Sequence, residues 1–173
     1  MSGALPPFLD LSHAARHDLS FSGSLAVKSM PRLASALASD RGMAEVELPA
    51  APDAGGRIVV SGSIHALLAM TCQRCLEDVE LEVRAQPRLG WVISDAEIET
   101  LAPDYEPLVS ADGRVALKEL VEDELLLALP LVPRHPDGAC TGMEKAAAHK
   151  APAPKEESRK TAFAELAKLK RGR

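Results

Sequence analysis

The stretch MTCQRCLEDV, residues 70–79, holds two of the three cysteines in a chain of 173 residues. A CxxC pair at a tight turn lets two thiolates converge on one tetrahedral ion, and two further ligands are needed to close such a site. The third cysteine, Cys140, follows His135 in PRHPDGAC. Cys72, Cys75, His135 and Cys140 would together form a Cys₃His set suited to one structural zinc ion. A single CxxC with a distant His-Cys pair carries less information than two CxxC knuckles. On the residues alone, two readings stay open: a metal site, and an unmetallated CxxC with Cys140 as an ordinary loop thiol.

Other thiol chemistry fits less well. Thioredoxin-type pairs sit where a strand runs into a helix whose N-terminus lowers the thiol pKa, whereas both flanks here read as strands. Three cysteines cannot all pair within one chain. The opening MSGALPPFLD has no basic region followed by an apolar run, so no export signal is expected and the cytoplasm is the expected compartment. No stretch approaches the roughly 20 apolar residues of a membrane span. Catalysis is not expected either. There is no Gly-rich phosphate loop and no nucleophile set beside a base, and His13, His17, His65 and His149 lie in weak contexts. No small-molecule substrate is expected.

The elements that must position the cysteines are legible on both sides of them. Ile58, Val60, Ile64, Ala66, Leu68 and Met70 occupy even positions, and Val79, Leu81, Val83, Ala85, Leu89, Trp91 and Ile93 occupy odd ones. Period two over this length predicts two long half-buried strands. If Cys72 faces Cys75, then Leu68 faces Val79 and Ile64 faces Val83, which puts every apolar side chain on one face. The CxxC is then the tip of a long antiparallel hairpin. Gln73 and Arg74 suit a two-residue turn poorly, because backbone φ must turn positive there. A bound ion would supply what they cannot.

Elsewhere, residues 19–27 and MAEVELPA alternate as strands, and SMPRLASALAS predicts a short helix with Ser29 as its cap. YEPLV predicts a short strand, Asp112-Gly113 a turn, and residues 117–129 an amphipathic helix. That helix sets Leu117, Leu120, Val121, Leu125 and Ala128 on one side and Glu119, Glu122 and Asp123 largely on the other. The expected fold class is α+β: an antiparallel sheet built around the hairpin, with the helix packed on it. The expected division is a domain over 1–142, a disordered Ala/Pro/Lys-rich linker over 143–160, and a basic segment over 161–173 forming a short helix.

Charge divides along the same line. Residues 1–142 carry 11 Lys/Arg against 21 Asp/Glu, a net of −10, whereas residues 143–173 carry 9 against 4, a net of +5. An acidic body with a basic tail suits a tail that touches phosphate, or a body that meets a basic protein. Only three Phe, one Trp and one Tyr are present, too few for a base-stacking platform.

Four segments in order, TCQRCLEDV, YEPLV with VEDELLLALPLVPRH, the Cys140 position and FAELAKLK, resemble the YceD family of large ribosomal RNA subunit accumulation proteins. The resemblance runs from about Thr71 to the C-terminus. It implies a non-enzymatic bacterial cytoplasmic protein supporting synthesis, processing or stability of large-subunit (23S) ribosomal RNA. It also places the family's usual cysteines and histidine on Cys72, Cys75, His135 and Cys140. Two departures stand out. Ala116 replaces an Asp before the helix, weakening its N-cap by about 1 kcal/mol, and Thr161-Ala162 replaces Asn-Pro before the terminal Phe163.

Expected partners are ribosomal RNA or a pre-ribosomal particle, met by Lys168, Lys170, Arg171 and Arg173, and a basic ribosomal protein docked on Glu119, Glu122 and Asp123. The alternative is a zinc-stabilised protein-interaction adaptor with no RNA contact.

Overall fold

The computed structural model describes residues 5–17 and 19–140. Its strands are β1 (Phe8–Asp10), β2 (Ser20–Ala26), β3 (Met43–Pro52), β4 (Ile58–Ser61), β5 (Ser63–Thr71), β6 (Asp78–Ala85), β7 (Arg88–Val92), β8 (Glu106–Val109) and β9 (Arg114–Ala116). Its α-helices are α1 (Leu11–Arg16), α2 (Pro31–Ala36) and α3 (Leu117–Ala128). The fold is α+β. The linker expected over 143–160 and the terminal helix expected over 161–173 lie outside the described residues. Among the described residues no helix is long and apolar enough to cross a membrane.

The alternation around the cysteines produces one long ribbon. β5 pairs with β6 from Thr71↔Asp78 to Ile64↔Ala85, and β4 continues against β7 in the same register, with Val60↔Leu89 and Val59↔Gly90. On its other side the ribbon pairs with β3, and β2 pairs beyond β3. β8 closes the far end parallel to β7, while β1 and β9 form a separate two-stranded pair.

Gly62 divides the ribbon into β4 and β5. At φ +151 its Cα packs so closely on the Glu47 carbonyl that a side chain would collide with it. Only glycine suits that approach. Gly62→Ala is therefore expected to cost roughly 1–3 kcal/mol, measurable as a lower urea midpoint with an unchanged slope.

The strands bury alternate residues on one face: Ala44, Val46, Leu48 and Ala50 of β3, Ile64, Ala66 and Leu68 of β5, and Val83 and Ala85 of β6. α3 lies over β5 and β6, and α1 over β3. Leu117, Leu120, Val121 and Leu125 complete the core. The opposite sheet face is polar. There His65 meets Glu82 at 2.8 Å, and Arg84 meets the same carboxylate at 2.7 Å.

Three details differ from the sequence expectation. The hairpin register is shifted by two residues, so Met70 faces Val79 and Leu68 faces Leu81. An even shift leaves every apolar side chain on the core face, and parity cannot distinguish the two registers. The tip is consequently a six-residue loop, 72–77. Second, Ser29 does not cap α2; its hydroxyl donates to the Ala26 carbonyl, and no side chain on Met30, the N-cap, serves α2.

Third, Glu122 is not on the open side of α3. It is 2% exposed, and its carboxylate accepts from the Arg32 and Leu33 amides at 2.6 and 3.1 Å and from the Arg32 guanidinium at 3.0 Å. The missing cap of α2 thus comes from α3. Burial opposes ionisation of Glu122, but the Leu33 amide and the Arg32 side chain and amide outweigh it and hold its pKa below the usual carboxylate value.

α3 itself begins at Ala116 without a side-chain cap, and the Leu117 amide donates instead to the Pro7 carbonyl at 3.1 Å.

Candidate metal centre

The loop 72–77 folds as one tight coil. The Leu76 amide donates to the Cys72 carbonyl at 2.9 Å, and the Cys72 amide to the Glu77 carbonyl at 2.8 Å. The positive φ that a tight tip requires falls on Leu76, at +61, not on Gln73 or Arg74. A non-glycine residue in that region costs roughly 1–2 kcal/mol, so the conformation needs tertiary support.

Part of that support is visible in the segment beyond α3. After Leu129 the chain returns to the tip, where the Gln73 amide donates to the Pro133 carbonyl at 2.9 Å. His135 follows, its Nε2 3.0 Å from the Asp78 carbonyl oxygen. A turn closed by the Ala139 amide on the Pro136 carbonyl, with Gly138 at φ +84, brings Cys140 back beneath the loop. Cys72, Cys140, Met70 and Val79 are buried together, with Leu37, Leu81 and Leu129 against them.

The result is a four-residue cluster. The three sulfurs and a nitrogen of Cys72, Cys75, His135 and Cys140 all lie within 4.8 Å of one another. Cys72 Sγ and Cys140 Sγ are 4.0 Å apart, and Cys75 Sγ is 3.4 Å from His135 Nδ1. A tetrahedral zinc with ordinary bond lengths sets S···S at about 3.8 Å and S···N at about 3.6 Å. The cysteines are free thiols, and 4.0 Å is far too long for a disulfide. With Nε2–H donated to the Asp78 carbonyl, Nδ1 is the nitrogen left to face the sulfurs, the outer-shell arrangement usual for a ligating histidine.

Electrostatics at the cluster favour a thiolate at Cys72. Burial opposes its ionisation, but the amides of Cys75, Arg74 and His135 and the His135 ring bring its pKa from 9.0 to about 5. At Cys75 the Glu77 amide favours the thiolate, yet burial and the neighbouring Cys140 and Cys72 sulfurs leave the thiol above its ordinary value. The His135 imidazole is raised above 6.5, chiefly by its hydrogen bond with Cys72.

Four ligand atoms fill a tetrahedron and leave no open coordination position for substrate, so the chemistry such a set supports is structural. The donor set, the spacings and the oriented histidine fit one tetrahedral ion.

The remaining residues singled out in the sequence are placed differently. Glu119 is exposed on α3, whereas Glu122 is internal. Asp123 is half exposed and bound to the Arg32 guanidinium. Lys168, Lys170, Arg171 and Arg173 lie outside the described residues. Sequence reasoning missed the part played by Arg32, whose amide and guanidinium engage Glu122 and Asp123.

Fold and cluster together define an α+β protein with a closed four-residue centre compatible with one metal ion. A family model described as "Large ribosomal RNA subunit accumulation protein YceD" matches residues 60–170, a span that includes all four cluster residues. The chain belongs to the YceD family. A curated relative, the "Large ribosomal RNA subunit accumulation protein YceD" of Haemophilus influenzae, is 33% identical over 141 residues, covering 79% of each chain. No solved structure matches the chain.

Proposed function

We propose that this protein is a non-enzymatic ribosome-biogenesis factor that supports accumulation of large-subunit ribosomal RNA in the bacterial cytoplasm. Membership of the YceD family carries this reading, through what its relative's name states. One zinc ion held by Cys72, Cys75, His135 and Cys140 is its structural cofactor, a reading supported by the spacing of the four ligand atoms. When bound, the ion supplies cross-linking alone: it ties the hairpin tip to the segment after α3. The protein's own groups do the rest. The Gln73 amide and the Asp78 carbonyl hold the two halves in register, and the apolar floor of Met70, Val79 and Leu129 packs against the buried Cys72 and Cys140.

Contact with the RNA or the assembling particle is assigned to Lys168, Lys170, Arg171 and Arg173. The acidic surface for a basic ribosomal protein reduces to Glu119 and Asp123, because Glu122 is engaged internally. Depletion of the protein should lower mature large-subunit RNA relative to small-subunit RNA, or accumulate its precursors. Unchanged precursor profiles and unchanged ribosome fractions count against the proposal.

The second reading, a protein-interaction adaptor without RNA contact, is favoured by the net charge of −10 on residues 1–142. RNA binding decides between them. Under the first reading the full chain should bind large-subunit RNA with an affinity that falls steeply with salt. Removing the residues after Met143 should abolish that binding. Absent RNA binding favours the adaptor, whereas binding indifferent to the truncation keeps the first reading and overturns only the assignment of the contact to the tail.

A further inference from the structure

Three thiolates and a neutral imidazole around a dication sum to a charge of −1, in a pocket where Cys72 and Cys140 are buried. An uncompensated charge in such a place is strongly disfavoured. Among the described residues, Arg74 brings a cation to the cluster. Arg74, between the two cysteines of the hairpin, does not extend into solvent as a loop-tip arginine ordinarily would; its side chain is only 27% exposed. Nη2 lies 3.5 Å from the His135 carbonyl oxygen, and Nη1 3.5 Å from an Asp137 carboxylate that stands fully in solvent. Nε is shut away from solvent with no hydrogen-bond partner. The position of Arg74 ties it to the cluster: it lies between two of the four ligand residues in the chain and reaches the backbone carbonyl of a third, His135.

We propose that Arg74 is the charge-compensating, positioning residue of the metal centre, folding its guanidinium back onto the His135 carbonyl so that three thiolates can share one divalent ion. This rests on the zinc reading above. It explains why the tip carries an arginine that turn geometry does not call for. Asp137 competes for the same cation but is screened by water.

The test is zinc affinity of the full chain, measured by competition with a chromophoric chelator at fixed pH and ionic strength. Wild type, R74Q and R74K are compared, with Co²⁺ as a spectroscopic stand-in. R74Q should bind zinc about 10- to 100-fold more weakly, the usual range for loss of a supporting contact to a metal ligand. R74K, which keeps the charge, should recover most of the loss. The Co²⁺–thiolate bands should keep three-sulfur intensity in all three proteins.

Equal affinity of R74Q and wild type overturns the proposal while leaving the zinc reading intact. So does an R74K variant as weak as R74Q, since charge would then not be the cause. Loss of a thiolate band in R74Q likewise overturns it, in favour of a purely structural role. Wild-type protein that takes up neither ion removes the zinc reading and this proposal together. Should R74Q fail to fold, Asp137→Asn gives a second arm. Relieving Arg74 of its competitor should tighten zinc binding at low ionic strength, and unchanged or weaker binding overturns the proposal.

Discussion

Replacing Cys72 with serine is expected to abolish stoichiometric zinc binding and to lower the thermal midpoint by roughly 10 °C or more. Cys72 is the most enclosed of the four ligands and the one whose thiolate the surrounding amides favour. On the zinc reading proposed above, losing the ion removes the cross-link between the hairpin tip, with its left-handed Leu76, and the returning segment at His135. A chelator should act on the wild type in the same direction. Acid should too, because protons compete with the metal for thiolate and neutral imidazole ligands, and His135 and Cys75 are held above their ordinary values. Affinity should then fall by about tenfold per pH unit for each proton displaced.

The metal-free protein has its own pH dependence. Between about pH 5 and 9.0 the unfolded chain holds the Cys72 proton that the folded chain has lost. The stabilisation from that thiolate is therefore complete above 9.0 and disappears as the pH falls to about 5. His135 works in the opposite sense, contributing most below 6.5 and losing its contribution as pH rises through its raised folded value. Metal analysis that finds no zinc in reduced wild-type protein, or a Cys72→Ser variant as stable as wild type, would refute the cross-link.

Glu122→Ala should destabilise the domain by about 3 kcal/mol, read as a shift in the urea midpoint. The substitution leaves the Arg32 and Leu33 amides unbonded at the start of α2 and strands the Arg32 guanidinium with Asp123 alone. Glu122→Gln keeps an acceptor for one amide and should cost less. The depressed Glu122 pKa adds a pH signature. Its stabilisation is full above the unfolded value of 4.5 and is lost as the pH falls through the lower folded value. A loss below about 1 kcal/mol, the range of an exposed ion pair, would show that the buried network contributes little.

How far the residues announced these features depended on the range of the interaction. The ribbon was legible because period two persisted through β4, β5, β6 and β7, and parity alone put Ile64, Leu68, Val79 and Val83 on one face. Register was not legible to better than two residues. The loop length that decides it depends on Leu76 adopting a left-handed conformation, which no local preference of leucine suggests.

α3 was visible from its 3.6-residue stripe, yet Glu122 was misplaced. Its partners are the amides of Arg32 and Leu33, about ninety residues earlier, and a helical wheel carries no information about them. β1 and α1, with three and six residues, are too short to show any period. The four cluster residues were named as a candidate set from residue type and family likeness. That Asp78 and Pro133 would serve it through backbone carbonyls could not be read from side chains at all.

The pairing of β1 with β9 bears on how the molecule is made. Phe8 finds its strand partner in Ala116, and the Pro7 carbonyl waits for the Leu117 amide. During synthesis β1 must wait for its partner until the whole stretch between the two strands, β2 through β8, has followed it. Such remote closure makes for slow maturation, and it leaves β1 open to helpers, proteases or neighbours for as long as translation of that stretch lasts.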